Sequence, residues 1–310
     1  MSKWIIKTAL QRAISWLPQS HKWNALFQRY VTKGLHVSLA SFENKLDDCR
    51  THLENYRKFS ANPKDSFKVL ELGTGWWPIP PVGLYLCGAE EIWSYDIVPL
   101  LRQDTFRQIL QLFLAYHEDG RLARLLPGVR PERAARLSQL VSRSATDSPQ
   151  AILESMNIHA LIRDARHTEL PAASIDLVYS NCCFEHIPLA IQAGLHAEFK
   201  RVAAKDSVIS HFVGIGDQYA RFDPSISMFN YLKFTSKQWR YLDNPIIPQT
   251  RLRACDYRQA IERAGCTIVL QRNIPGAKED LAKITLAPEF RHYSEEDLLA
   301  CYTWLVARPV

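Results

Sequence analysis

The residues best suited to chemistry begin at Val69-Leu70-Glu71-Leu72-Gly73-Thr74-Gly75, where apolar residues and a carboxylate run into two closely spaced glycines. Asp96 follows inside another apolar run. A strand, a tight turn and a second strand ending in an acid form the signature of a nucleotide-binding βαβ unit. Glycine lets the backbone approach a ligand and adopt positive φ. The third glycine of a dinucleotide loop is missing, because Pro78 stands there and has no amide to offer a pyrophosphate. The expected ligand is therefore a nucleoside, its ribose hydroxyls bridged by Asp96 and its base met at the end of the third strand.

These residues need a sheet to hold them. Strands are predicted at 67–72, 91–97, 158–162, 175–180, 207–213, 267–271 and 302–307, with helical stretches between most of them. Alternating strands and helices with continuous apolar strand cores predict an α/β fold whose parallel sheet is covered on both faces. An antiparallel last strand would complete it. Two stretches exceed ordinary connections. Residues 100–157 read as a helical insertion over the open end of the sheet, a lid or a dimer contact. Residues 214–253 form an aromatic-rich excursion.

Residues 1–61 read as an N-terminal helical arm and 62–310 as the domain proper. In the arm, residues 3–17 carry an apolar stripe of Ile6, Ala9, Leu10, Ala13, Ile14 and Leu17, with Lys3, Lys7, Gln11 and Ser15 opposite. Such a helix can lie on an anionic membrane surface or dock on its own domain or a second subunit. The formal net charge of +6 is concentrated there: Lys3, Lys7, Arg12, Lys22, Arg29 and Lys33 precede the first acid, Glu43. The rest of the chain is charge-balanced, which disfavours a broad nucleic-acid face.

Seven scattered cysteines without a CxxC pair read as reduced thiols, and no metal site is expected. No apolar run approaches the roughly 20 residues that span a bilayer. A cytoplasmic protein is the expectation, with a peripheral contact at the inner face of a membrane through residues 3–33 as a further option.

The ordered set Val69–Gly75, Asp96, Arg163-Asp164-Ala165, Ile175–Ser180 and Phe184-Glu185-His186-Ile187 resembles the class I S-adenosylmethionine-dependent methyltransferases over residues 67–272 and the final strand. The resemblance implies a Rossmann-like seven-stranded sheet and S-adenosyl-L-methionine as cofactor. It implies that Glu71, Gly73, Thr74 and Gly75 border the methionine portion and that Asp96 holds the ribose. Asp164 and Ala165 would meet the adenine, and Asn181 would lie near the sulfonium. Methyl transfer to a hydroxyl also needs a base. His211 and His186 occupy or follow strands whose carboxyl ends would face the donor, and Asp217 would be an orienting carboxylate or, with Glu185 and His186, a metal ligand.

Trp239, Arg251 and Arg253 in the aromatic excursion suit a sugar bearing a phosphate or carboxylate, by stacking and guanidinium grip. The opposing reading is a packed subdomain with surface arginines. O-methylation of a sugar, glycan or related small molecule is the leading expectation, with a homodimer as a further one. N- or C-methylation, an RNA-modifying protein and a membrane-surface interaction protein are the alternatives.

Overall fold

A computed structural model describes residues 3–16, 37–243 and 248–310. In chain order the elements are α1 (Lys3–Ser15), α2 (Leu39–Phe59), β1 (Phe67–Leu72), α3 (Ile79–Leu86), β2 (Ala89–Asp96), α4 (Gln103–Glu118), α5 (Arg121–Leu125), α6 (Pro131–Ala134), α7 (Leu137–Arg143) and α8 (Pro149–Glu154). There follow β3 (Ile158–Ile162), β4 (Ile175–Asn181), α9 (Leu189–Val202), β5 (Ala203–Gly214), α10 (Ser236–Leu242), α11 (Ala254–Arg263), β6 (Cys266–Pro275), α12 (Lys278–Ala282), α13 (Glu295–Leu299) and β7 (Ala300–Pro309).

The expected seven-stranded sheet is present, in the order β3-β2-β1-β4-β5-β7-β6. Strands β1 to β5 pair in parallel, and β7 runs antiparallel to both β5 and β6. Every residue of β4 from Ile175 to Ser180 is buried, as a central strand covered on both faces requires. The strand order reverses between β1 and β4, and ligands bind outside the carboxyl ends of strands at such a switch point. The glycine loop leaves β1 there.

One face of the sheet is covered by α2, α3 and α4, with Phe42, Leu46, Leu53, Val82, Phe106 and Phe113 in a common core. The other is covered by α9 and α11, with Leu195, Phe199, Tyr257 and Ile261. A third cluster joins the 214–253 excursion to residues 281–302 through Tyr231, Trp239, Phe290 and Leu298.

Helix α2, within the stretch read as an arm, packs on the sheet: its Phe42, Leu46, Cys49 and Tyr56 are buried and its His52 and Asn55 bond Ser210 of β5 at 2.9 and 3.1 Å. The 100–157 insertion is a helical layer fixed on α2 and α3, with Phe42 edge-on to Phe113 and Tyr116.

The face assigned to α1 is inverted. Trp4, Thr8 and Gln11 are buried, and the predicted apolar stripe points outward. Trp4 packs on Tyr219 and Phe234 and donates its amide to Asp223 at 3.0 Å, so one bulky aromatic with polar partners outcompetes the aliphatic stripe for the cap. Leu17 lies outside the described residues.

Candidate functional site

The glycine loop is tied to the sheet by a buried polar chain. Glu71 is 2% exposed and accepts hydrogen bonds from Tyr179 Oη at 2.6 Å and from Ser94 Oγ. Ser94 in turn meets Thr74 Oγ1. Burial pushes the Glu71 carboxyl up to about 7, while the two hydroxyl bonds pull it down. Glu71 thus anchors the loop and reaches Thr74 through Ser94.

Gly73 has φ +91° and donates its amide to Tyr95 O at 2.8 Å. A Cβ there would stand 2.8 Å from Cys183 Sγ, so glycine is needed for the turn and for the close approach of the β4 loop.

Asp96 closes the second side. One carboxylate oxygen accepts from Gly75 N at 2.9 Å and the other from Val98 N at 3.0 Å. Burial raises its pKa, and these backbone amides oppose the rise. Beside it lies a narrow cleft, lined among others by Thr74, Gly75, Asp96, Leu101, Gln150 and Ile162. The insertion therefore supplies part of the wall. A Cβ built on Gly75 would meet little but the Gly73 carbonyl, at 3.9 Å, so the loop presents open backbone to a ligand.

Asp164 stands past the end of β3, exposed, with both carboxylate oxygens taken by the Arg166 guanidinium at 2.5–3.1 Å. Ala165 next to it is buried.

At the end of β4 the side-chain amide of Asn181 donates to Asp48 Oδ2 at 3.0 Å, and its own carbonyl oxygen is buried without a partner among the described residues. Asp48 comes from α2, with Lys45 3.6 Å away. Burial raises the Asp48 pKa, against Lys45 and Asn181, which lower it. Sequence reasoning missed Asp48 because it lies in a mixed-charge helix with no motif around it.

The cleft offers a carboxylate at the strand tip and glycine backbone with room above it, groups of the kind that a nucleoside's hydroxyls would meet.

The residues expected to do acid–base work are not brought to this cleft. His211 is walled in by Phe184, His196 and Phe199, with ring centres 4.7, 5.7 and 6.1 Å away. Its Nδ1 meets Ser180 Oγ at 2.9 Å, and its Nε2 is buried without a partner among the described residues. Burial holds its pKa well below the usual histidine value, so the ring is a neutral core group that no acceptor reaches. His186 spends Nδ1 on the Pro248 carbonyl at 2.8 Å and Nε2 on the Gln218 amide at 3.1 Å. Asp217 is fully buried, capping a short turn through Tyr219 N and accepting from Asn230. Burial pushes its pKa up to about 6.

The expected acceptor grip is likewise structural. Trp239 is buried against Tyr231 and donates to Gln249 O. Arg251 bonds the Phe234 carbonyl and Ser236 Oγ and lies over Phe290. Arg253 is fully buried and donates to Tyr231 Oη and to the carbonyls of Asp297, Leu298 and Ala300. Buried donors already satisfied have nothing to offer a substrate. The packed-subdomain reading describes these three residues, with Arg253 inside and Arg251 at the rim.

The chain matches no protein-family model and no curated protein sequence. Solved structures resemble it. A chain from the complex between the Haloferax volcanii Trm112 methyltransferase activator and a methyltransferase is 15% identical, with a TM-score of 0.44 over 86% of this chain and 93% of that one. Geranyl diphosphate C-methyltransferase from Streptomyces coelicolor A3(2) is 12% identical, with a TM-score of 0.44 over 84% and 79%. Haemonchus contortus phosphoethanolamine N-methyltransferase 2 is 11% identical, with a TM-score of 0.44 over 91% and 59%. By its own strand order, its antiparallel β7 and its glycine loop facing an acid at the β2 tip, this chain has the fold of the class I S-adenosylmethionine-dependent methyltransferases.

Proposed function

We propose that the chain transfers a methyl group from S-adenosylmethionine to a hydroxyl of a sugar, glycan or related small molecule. The observation that carries this reading is the switch-point cleft, where the Gly75 amide and the Asp96 carboxylate meet beneath open loop backbone. When bound, the donor supplies an activated methyl group on a sulfonium sulfur, so the protein has only to align the partners and take up a proton. Asp96 holds the ribose diol, and Gly73 and Gly75 let the methionine portion lie on the backbone. Ala165 and Asp164 meet the adenine, the latter by releasing Arg166. Asn181 faces the sulfonium with its free carbonyl oxygen.

Asp48 replaces His211 and His186 as the proposed base. Its carboxylate is held against Asn181 at the strand end, and burial makes it more basic than an exposed aspartate. A base works only when deprotonated, so turnover falls as pH drops through the raised Asp48 pKa. Screening hydroxyl acceptors for S-adenosylhomocysteine release tests the reading. On the acceptor found, Asp48→Asn is expected to lower kcat about 100-fold or more, to remove the acid limb of the pH profile and to keep donor affinity. Full turnover of Asp48→Asn would favour an amine or carbon acceptor instead.

A peripheral membrane contact is favoured by α1. Its outward face consists of Ile5, Ile6, Ala9, Leu10, Ala13 and Trp16, with Trp16 80% exposed. Lys7 and Arg12 are turned onto the body, over Phe222 and against the Arg240 carbonyl. The neighbouring α10 adds exposed Tyr241, Lys237 and Arg240. Apolar residues, an interfacial tryptophan and surrounding bases suit an anionic lipid surface. Among the described residues no helix is long and apolar enough to cross a membrane. The full chain is expected to float with vesicles containing phosphatidylglycerol, and Ile6→Glu/Leu10→Glu to lower that partition roughly tenfold. Equal partition of the two proteins counts against the contact.

A further inference from the structure

Part of the wall of the cleft beside Asp96 comes from the 100–157 insertion. Gln150, the second residue of α8, lines the cleft together with Asp96, Pro99, Leu101, Ala160 and Ile162. Its backbone is held in place: Pro149, Ile152 and Leu153 of the same short helix are buried, and Ser148 caps the helix by accepting from Ala151 N at 3.2 Å. Its side chain is not held. Gln150 is exposed and forms no hydrogen bond among the described residues, so the donor and the acceptor of its amide are both unspent at the cleft wall.

Another part of the wall is apolar, for a reason set by the pleat. Ala160 and Ile162 alternate along β3 and pair with Ser94 and Asp96 of β2, so these four side chains share one sheet face. Leu161, between them, packs in the core on the other face. Ile162 stays 49% exposed beside the Asp96 carboxylate. A planar base has the matching properties: its apolar faces cover surface such as Ile162, and its polar edge meets an amide. The cleft is narrow, and the wall from Val98 to Leu101 has neither helix nor strand, which makes it the side able to yield to a ring.

We propose that Gln150 reads the base of the methyl donor, as a specificity-determining residue contributed by the insertion. Its amide oxygen accepts from the N6 amino group of adenine and its amide nitrogen donates to N7, a pairing that satisfies both atoms of that edge. A base carrying oxygen at position 6 presents two acceptors there and leaves the glutamine oxygen without a donor. Asp164, once released by Arg166, keeps the second amino hydrogen. This role rests on the methyltransferase reading. It gives the insertion a part in holding the donor, where its sequence suggested a lid or a dimer contact.

Calorimetry on the full chain with S-adenosylhomocysteine, its 7-deaza analogue and S-inosylhomocysteine tests the role. The 7-deaza ligand replaces N7 by a C–H, and the inosyl ligand replaces the N6 amine by oxygen. The wild type is expected to bind each about tenfold more weakly than S-adenosylhomocysteine. Gln150→Leu should weaken S-adenosylhomocysteine about tenfold and bind it and the 7-deaza ligand within about twofold of each other. A structural role alone would lower both affinities and keep their ratio. Gln150 is exposed, so the leucine variant is expected to melt like the wild type. Gln150→Glu is the second variant: its carboxylate accepts from N6 but repels the N7 lone pair, so it should prefer the 7-deaza ligand. A wild type that binds S-adenosylhomocysteine and its 7-deaza analogue equally, or a leucine variant that keeps the wild-type ratio, would overturn the role of Gln150 and leave the methyltransferase reading standing. A wild type that binds neither ligand would remove that reading, and the role with it.

Discussion

Asp96→Ala is expected to weaken S-adenosylhomocysteine binding about 100-fold or more, because two charge-assisted hydrogen bonds to a ribose diol are each worth roughly 1.5–3 kcal/mol. The carboxylate is also what orients the Gly75 and Val98 amides, so its loss loosens the loop that the rest of the ligand would lie on. Burial raises the Asp96 pKa, so donor affinity should weaken as pH falls through that raised value. Asp96→Asn separates the effects: it keeps a polar group in place and removes the charge, and should fall between the wild type and the alanine variant. Calorimetry reads the affinity, and thermal melting checks that the fold is retained. An alanine variant binding within about twofold of wild type would mean that the diol is held elsewhere.

Arg253→Ala is expected to have the largest effect on stability. The guanidinium is fully buried and gathers the carbonyls of Asp297, Leu298 and Ala300, just where α13 turns into β7. Truncation strands those acceptors in the core, at a cost of about 3–5 kcal/mol. That is a large share of the roughly 5–15 kcal/mol by which domains are stable, and corresponds to a fall in Tm of about 10 °C. Arg251→Ala should cost less, because Arg251 sits at the rim with Glu289 3.4 Å away. If Arg253→Ala melted like the wild type while acceptor affinity dropped, Arg253 would be a substrate residue after all.

The difference between what could and could not be read from the chain follows the range of the interactions. Strand β1 is found at its predicted bounds, Phe67 to Leu72, because a turn cluster precedes it and a glycine follows it. That the glycine loop and Asp96 belong together was legible because one βαβ unit contains both, and the structure joins them through the Gly75 amide. The burial of His211 was not legible because its neighbour Ser210 points the opposite way, toward His52, and the pleat alone does not say which face opens to a ligand. Arg253 looked like a free anion grip because its carbonyl partners lie more than forty residues downstream. Asp48 was passed over because nothing local marks α2 as a helix laid on the sheet. The inverted α1 shows the same limit: periodicity fixes the faces of a helix, and tertiary partners decide which one is buried.

The central claim is that the switch-point cleft binds S-adenosylmethionine, and titrating the full-length wild-type chain with S-adenosylmethionine and S-adenosylhomocysteine in a calorimeter tests it most directly. One site per chain with micromolar affinity, about −8 kcal/mol, and competition between the two ligands are expected. No heat and no thermal stabilisation at millimolar concentrations of either ligand would contradict it.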